Sequence, residues 1–357
     1  MRSWTEVSRS VPVAALLFGI AAGFPSIAAE PAKKAAAAKA VPPGIIAAAN
    51  REGKLKLAWT GTATDQWRQR FQDAFNEQYG VKVAITHTPN NAQGREVSKV
   101  ITEVSTGQKP SHDLMLFSDA AYNDLAKSGM LGVHPFTKLF GVPARSVQFN
   151  GGAFAFAHQL VLPAYNTNLV KGKDIPKRWD DLLDPKWKGK IGVPSATHLW
   201  GRLSQAWGDQ KTTDYVGRLA KQAIRLGSFA DLNQSLQLGE IQIITAQIDN
   251  LMNVNRIKKA PIAWATDVKP ILALGIMAGP LKDAENPNAA LLFSGFLASP
   301  RGQALWQQFQ NQSSIFVPGS SSAKMVQGKD PLTLTDVFMV RDLQPRTAKY
   351  GKILGYR

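Results

Sequence analysis

From about residue 54 the chain alternates a strand pattern with a helix pattern. Residues 54–59 alternate polar and apolar side chains, which predicts a strand. Residues 65–79 repeat an aromatic side chain at every fourth position, which predicts a helix with this stripe packed in the core. Residues 113–117 are apolar on both faces, as in a strand inside a parallel sheet. The alternation predicts an open, doubly wound α/β sheet with right-handed crossovers.

A second block of the same character follows, joined to the first by the extended stretch 153–166. Its predicted elements are buried strands at 191–193 and 241–246, and helices around 202–207 and 213–226. The chain then returns to the first block near residues 268–278 and closes with helices such as 288–297 and 300–309. These patterns predict two α/β lobes with a ligand cleft between them.

The N-terminus has the layout of a secretory signal peptide. Arg2 and Arg9 precede an apolar stretch at 11–22, and small residues follow at 26–29. The apolar stretch is too short to cross a bilayer as a helix. We therefore expect residues 1–29 to be a signal peptide and the mature protein to be a soluble periplasmic one. Residues 30–44, rich in Ala, Lys and Pro, are expected to be a tether.

Composition narrows the class of protein further. The chain contains no cysteine, so neither a disulfide nor an acylated cysteine can stabilise or anchor it. Its formal net charge is +16, but the Lys and Arg residues are scattered and no nucleic-acid motif is present. We interpret the charge as ordinary solvated charge on the protein surface. We expect no nucleic-acid partner.

Three loops follow predicted strands and begin predicted helices. They start at Thr60-Gly61-Thr62, at Ser118-Asp119 and at Ser195-Ala196-Thr197-His198. Hydroxyl groups and the free N–H groups of helix N-termini suit anions such as carboxylate or phosphate. Ligands of open α/β sheets also bind outside the carboxyl ends of the strands. The alternative is that these hydroxyls only cap their helices.

Arg95 lies in the first turn of its predicted helix, where the helix dipole disfavours a cation. An anion bound in the cleft would offset this penalty. The alternative is an exposed arginine that pairs with an acid such as Glu96.

Motifs of other chemistries are missing from the sequence. The five histidines are dispersed, and neither an HExxH motif, a Gly-rich phosphate loop nor a GxSxG elbow is present. His198 near Ser195 is the one candidate for an exported enzyme, and three residues apart they fit ligand contacts better. We expect no enzyme activity, no cofactor and no resident metal.

Residues 179–191, WDDLLDPKWKGKI, closely resemble a characteristic segment of bacterial extracellular solute-binding proteins that serve ABC importers, in their ferric-iron-type branch. Supporting likenesses are found at 164–170, similar to the family's "YNT" crossover strand, and at 297–303, similar to its "LLSPEGQ" helix start. Residues 52–55 and 128–131 fit as well. The likeness covers about residues 45–320.

The resemblance implies a type II periplasmic-binding-protein fold, in which two lobes close on a ligand by a hinge. Together with the pattern of strands and helices, the resemblance predicts lobe 1 at 45–155 and lobe 2 at 156–267. The chain is then predicted to return to lobe 1 and to end in C-terminal helices at 268–357. It also implies a monomer that delivers a small molecule to an inner-membrane ABC permease, and it adds a fourth ligand loop at Asp249. The candidate ligand-binding residues are Thr60, Gly61, Thr62, Arg95, Ser118, Asp119, Tyr165, Ser195, Thr197, His198 and Asp249.

The chain departs from the ferric branch in one respect. Ferric-binding members carry adjacent tyrosines after the last strand of lobe 2, whereas residues 248–255 here contain none, and Tyr165 lies on the crossover. Direct ferric binding is therefore disfavoured. Helix N-termini and Arg95 favour an organic anion. The carboxylates of Asp119 and Asp249 favour a cationic amine instead. The side chains that could stack on such an amine are Trp59, Trp200 and Trp264. We expect the anion.

Overall fold

The computed structural model describes residues 41–60, 63–90 and 92–356. The predicted signal peptide and most of the predicted tether lie outside them. The elements of the first half are α1 (Pro43–Glu52), β1 (Lys54–Thr60), α2 (Asp65–Tyr79), β2 (Ala84–Asn90), α3 (Gln93–Ser105), β3 (Leu114–Leu116), α4 (Asp119–Lys127), α5 (Phe136–Phe140), β4 (Val147–Gln148) and β5 (Ala153–Asn166).

The second half alternates helices and strands in the same way. Its elements are β6 (Ile191–Pro194), α6 (His198–Trp207), α7 (Asp209–Ala220), β7 (Arg225–Gly227), α8 (Phe229–Leu238), β8 (Ile243–Ile248), α9 (Asp249–Ile257), β9 (Ile262–Trp264), β10 (Ile271–Ala278), α10 (Pro287–Ala298), α11 (Pro300–Gln310), α12 (Ser321–Val326), β11 (Pro331–Leu332), α13 (Asp336–Phe338) and α14 (Gln344–Leu354).

Lobe 1 is built on a parallel sheet with the strand order β2-β1-β3. Helix α2 begins where the Thr64 hydroxyl accepts the N–H of Trp67, and it ends at Gly80, whose φ of 65° suits a residue without a Cβ. Its predicted aromatic stripe is confirmed, since Phe71 and Phe75 are fully buried against α10 and α11. The core of lobe 1 therefore lies between its sheet and these helices.

Lobe 2 is built on a larger sheet with the strand order β11-β10-β5-β8-β6-β7. Strands β6, β7 and β8 run parallel, as βαβ crossovers require. The side chains of Trp179, Trp187 and Trp200 fill the core on one face. The segment that carries the family resemblance thus packs inside lobe 2.

Strands β5 and β10 pair with each other antiparallel and belong to both lobes. The end of β10 bridges to β3 at Ser118–Ile276 and Leu114–Pro280. The C-terminal half of β5 pairs with β8, for example at Val161–Ile248. We call β5 and β10 the hinge strands, because they are the extended connections that run from one sheet to the other.

The C-terminal segment contacts both lobes. Helix α14 packs on α6 and α7, with Tyr350 and Leu354 inside the lobe 2 core. The preceding residues Leu334 and Phe338 pack with Ala120 of α4. The predicted return to lobe 1 therefore holds for α10 and α11, whereas the last helix lies against lobe 2.

Most predicted elements are confirmed, although many of their bounds differ by a few residues. The helix predicted at 213–226 ends at Ala220, and residues 225–227 form the short edge strand β7 instead. The apolar residues of β7 continue the helical spacing, so periodicity alone did not separate them. Helix α1 begins at Pro43, within the predicted tether. The lobe boundaries at 155/156 and 267/268 stay predictions.

Two helical glycines give a matched test of this packing. A Cβ at Gly302 would lie 2.0 Å from the carbonyl oxygen of Phe296, whereas a Cβ at Gly217 would meet no atom within 4 Å. We expect Gly302→Ala to lower the free energy of unfolding by about 1–3 kcal/mol or more. Gly217→Ala should raise it by about 0.5–1 kcal/mol. Urea denaturation measures both, and equal effects of the two substitutions would contradict the packing at α11.

Candidate ligand-binding cleft

The carboxyl ends of the strands in both lobes face the hinge strands. In lobe 1, β3 ends beside Ile276 of β10. In lobe 2, β8 ends beside Val161 of β5, and β6 runs parallel to β8. The loops at these ends form the edge at which open α/β sheets bind ligands.

Asp119 is the first residue of α4, and its side chain is turned inward. Its Oδ1 accepts the N–H of Ala120 at 2.7 Å, and its Oδ2 accepts the N–H of Gly275 on β10 at 3.3 Å. Only 2% of the residue is exposed. Asp119 thus supplies the acceptor for a hinge-strand N–H at the point where β3 has ended.

Arg202 of α6 reaches across from lobe 2 to the same carboxylate. Its Nη1 donates to Asp119 Oδ2 at 2.8 Å, and its Nη2 donates to Oδ1, which makes the pair bidentate. Burial alone would raise the pKa of Asp119, but the charge and hydrogen bonds of Arg202, with the N–H groups of Gly275 and Ala120, hold it below its ordinary value. The lobes are therefore joined by a buried ion pair.

Asp249 occupies the equivalent position in lobe 2, as the first residue of α9. Its Oδ2 accepts the N–H of Leu160 on β5 at 3.1 Å, and its Oδ1 accepts from Asn250 N at 2.9 Å and Gln312 Nε2 at 3.2 Å. No cation accompanies it among these partners. Burial therefore raises the pKa of Asp249 to about 7, despite the three hydrogen bonds.

Asp119 and Asp249 are thus related by the symmetry of the two lobes. Each begins the helix that follows the strand next to the hinge, and each takes one hinge-strand N–H. Both were predicted to contact ligand. Both stay candidate ligand contacts, and their buried hydrogen bonds show that they also support the hinge strands, because a buried N–H without an acceptor is costly.

Ser118 precedes Asp119 in lobe 1, and Arg95 lies on α3, whose first residue Gln93 contacts Ser118. The Ser118 hydroxyl accepts the N–H of Ala121 and donates to Gln93, so it caps α4 as the alternative interpretation proposed. Arg95 is exposed on the first turn of α3. The neighbouring Glu96 forms a buried pair with His112 at 3.0 Å.

The lobe 2 loop Ser195, Thr197 and His198 retains accessible polar groups. Ser195 is exposed, and Thr197 and His198 are half-buried. Thr197 precedes α6, yet its side chain accepts no hydrogen bond from the helix. His198 Nδ1 accepts from Arg202 Nε at 3.4 Å, and burial followed by the charge of Arg202 lowers its pKa to about 4. The N–H groups of Thr197, Leu199 and Trp200 donate to the carbonyl oxygens of Ser195, Ala196 and Thr197. The α6 N-terminus therefore presents side-chain hydroxyls and a positive dipole end without a side-chain cap.

The remaining predicted residues are Thr60, Gly61, Thr62 and Tyr165. Thr60 ends β1, while Gly61 and Thr62 lie outside the described residues. Tyr165 pairs with Ile243 at the first residue of β8, about 16 Å along the strand from its carboxyl end. Tyr165 thus lies away from the ligand edge of lobe 2.

Arg202 and Gln312 were missed from sequence. Arg202 lies on the apolar stripe of α6 with Leu199 and Leu203, where a buried cation indicates a buried partner. Gln312 follows α11 and carries no comparable signal. In the described part of the chain, we find no cluster of three or more His, Asp or Glu able to hold a metal ion. No helix there has the length and apolarity needed to span a membrane.

Two α/β lobes joined by paired hinge strands, with strand ends and helix N-termini facing the hinge, define a two-lobed periplasmic binding protein fold. The family model of bacterial extracellular solute-binding proteins matches residues 71–331, so the chain belongs to that family.

Known proteins with this fold include several iron-binding ones. Iron- and citrate-bound FutA (IdiA) of Trichodesmium is 19% identical, with a TM-score of 0.71 over 85% of this chain and 100% of that chain. Iron-bound HitA of Pseudomonas aeruginosa is 19% identical, with a TM-score of 0.66 over 85% and 99%. The ferric binding protein of Campylobacter jejuni is 16% identical, with a TM-score of 0.67 over 84% and 99%. An uncharacterized Haemophilus influenzae protein is 24% identical over 292 residues, 74% of this chain and 79% of that protein.

The ion pair between the lobes predicts a large effect of removing one partner. Arg202→Met leaves the Asp119 carboxylate buried without its cation, so we expect a loss of about 3–5 kcal/mol in unfolding free energy at pH 7. Arg178→Met breaks an exposed pair with Asp181, whose arginine side chain is 79% exposed, and should cost less than about 1 kcal/mol. Urea denaturation compares the two, and similar losses would show that the Asp119–Arg202 pair is solvated.

Asp249 predicts a dependence of stability on pH. In the unfolded chain its pKa is about 4, so between about pH 4 and 7 the folded protein holds a proton that the unfolded chain has lost. The free energy of unfolding should fall as pH rises through this window, by up to about 4 kcal/mol, and level off above it. Asp249→Asn should remove this fall, whereas Asp65→Asn on the exposed first turn of α2 should not. An unchanged pH profile in Asp249→Asn would contradict the prediction.

Proposed function

We propose that the chain is the periplasmic solute-binding component of an ABC importer and that it captures a small organic anion by closure of its lobes. Family membership supports the binding role, and the shared hinge strands support closure. Closure would exclude water from the ligand and create the surface that the permease recognises. We propose that it acts as a monomer and without catalysis.

The burial of Asp119 and Asp249 is the observation that carries the choice of an anion. A cationic ligand would need accessible carboxylates, and these two were the candidates. Asp119 is neutralised by Arg202, and Asp249 has a pKa of about 7. Asp119 therefore has no free negative charge for an amine, and Asp249 is only partly ionised at neutral pH.

The proposed stacking faces for a cationic amine are also occupied. Trp59 is fully buried and stacks on Trp306 at 6.1 Å, and Trp200 is buried in the lobe 2 core. Trp264 lines a cavity of about 390 Å³ together with Asp249 and with Arg256, whose charge opposes a cation. These surroundings weaken the amine alternative.

The groups that remain accessible suit an anion. They are the exposed Arg95, the hydroxyls of Ser195 and Thr197, and the uncapped start of α6 beside His198. Helix N-termini and guanidinium groups bind carboxylate and phosphate through several N–H donors. We assign the ligand contacts to these residues and to the loop of Thr60, Gly61 and Thr62.

An anionic iron chelate is the second candidate. Two of the proteins with this fold were solved with iron, one of them with citrate. Bare ferric ion needs hard anionic donors, but the loop after β8 has no tyrosine and its Asp249 is buried. A chelate would bring its own donors and present carboxylates to the same helix start.

The enzyme alternative lacks an activated nucleophile. His198 accepts its hydrogen bond from Arg202 rather than orienting towards Ser195, and its pKa of about 4 makes it a weak base at neutral pH. The pair therefore fits ligand contact better than catalysis.

Titration calorimetry on the purified protein tests this proposal. The panel comprises organic phosphonates, mono- and dicarboxylates, citrate, ferric citrate, ferric nitrilotriacetate and polyamines. We expect saturable binding of at least one anion, weakened about tenfold or more by Arg95→Ala, because a charge-assisted contact is lost. The exposed Arg178→Ala serves as the matched control.

Three results would contradict the proposal. Tight binding of a polyamine, with no anion bound, would restore the cationic interpretation. Iron transfer from nitrilotriacetate with a phenolate absorption band would show direct ferric binding. Equal anion affinity in Arg95→Ala and Arg178→Ala would remove Arg95 from the contacts.

A further inference from the structure

A second cavity lies against the face of the hinge strands that carries His158, and it shares Asp119 with the edge of the cleft. Gln159 and His158 are neighbours on β5 and therefore point to opposite faces. Gln159 Nε2 donates to Asn250 at 3.3 Å, on the face of the α9 loop. His158 lines a cavity of about 310 Å³ with Arg145, Phe316 and Asp336. We call this the hinge cavity; its other walls include Gly275 and residues 333–337.

His158 supplies an unused hydrogen-bond donor to the hinge cavity. Its Nδ1 accepts the N–H of Ile315 at 3.4 Å, so in the neutral ring the proton sits on Nε2. Burial lowers the pKa of His158 to about 3, which keeps the ring neutral at pH 7. The residue is 1% exposed, and Nε2 is buried without a partner in the described part of the chain. A buried donor of this kind calls for an acceptor.

Asp336 supplies an unused acceptor. Its Oδ2 accepts the N–H of Phe149, while its Oδ1 is buried and lacks a partner in the described ranges. Burial raises the pKa of Asp336, although the backbone N–H groups of Phe149 and Asn150 partly offset the lost solvation, and no cation contributes. An ammonium group bound at Oδ1 would supply both the missing hydrogen bond and the missing charge.

Arg145 supplies the positive charge. Its guanidinium lies over the Phe316 ring at 4.7 Å, and the His158 ring packs edge-on to the same ring at 4.9 Å. These two donors therefore converge around Phe316. A guanidinium and an imidazole N–H together suit a carboxylate.

The summed charge of the hinge cavity excludes simpler ligands. Arg145 is positive, Asp336 is negative, His158 is neutral and Asp119 is cancelled by Arg202. An anion alone would face Asp336, and a cation alone would face Arg145. We propose that the hinge cavity is a second binding site, which takes a small zwitterion such as an α-amino acid, with its carboxylate at Arg145 and His158 and its ammonium at Asp336.

Calorimetry with the full mature protein tests the site, using glycine, L-alanine and L-serine as probes. Propionate and ethylamine are the matched single-charge controls. We expect saturable binding of an amino acid, with each control at least about tenfold weaker. The ring resonances of His158 should shift with the same saturation curve, because Nε2–H gains an acceptor.

Substitutions locate the site. Arg145→Gln and Asp336→Asn should each weaken amino-acid binding about tenfold or more, with thermal unfolding confirming that the variants fold. Arg70→Gln is the matched control, since that guanidinium stacks on Trp67 at 4.3 Å elsewhere in lobe 1. Binding in the anion cleft should be unchanged by all three.

Two outcomes would overturn the proposal. Absence of saturable binding up to millimolar amino acid would mean that the hinge cavity holds water only. Binding that survives Arg145→Gln and Asp336→Asn but is lost in Arg95→Ala would place the amino acid in the cleft instead. The proposed anion site in the cleft is tested separately through Arg95→Ala. A negative result for one of the two proposed sites therefore does not contradict the proposal for the other.

Discussion

The hinge strands impose the constraint on which this structure depends. Strands β5 and β10 pass from one sheet to the other, and each has a backbone N–H beyond the end of its neighbouring strand. Asp119 accepts the N–H of Gly275, and Asp249 accepts that of Leu160. A buried N–H needs an acceptor, so a helix that starts with aspartate at this position completes the ladder in each lobe. The two lobes can then share one pair of strands without orphaned backbone groups.

The same arrangement decides the electrostatics of the cleft. Arg202 neutralises Asp119, whereas burial raises the pKa of Asp249 to about 7, so that this carboxyl is only partly ionised at neutral pH. The positive helix ends and Arg95 are left to determine which ligands are attracted. The proposed preference for an anion thus rests on how the hinge is stabilised.

Periodicity and the segment at 179–191 were enough to predict the fold. Helix α2 was predicted with its observed bounds, since its aromatic stripe, a capping residue and Gly80 coincide. Strand β5 was likewise predicted over its full length.

The site was predicted less completely, because its contacts join distant parts of the chain. The sequence does not distinguish an aspartate in the first turn of a helix that contacts a ligand from one that accepts a hydrogen bond from a hinge-strand N–H. The partners of Asp119 and Asp249 lie 83 and 63 residues away, at Arg202 and Gln312, and only the folded chain brings them together.

Amide hydrogen exchange of Leu160, compared between wild type and Asp249→Ala with and without the bound anion, tests this account most directly. We predict that the substitution speeds exchange at Leu160 while anion affinity is retained; lost affinity with unchanged exchange would show that Asp249 serves the ligand rather than the hinge.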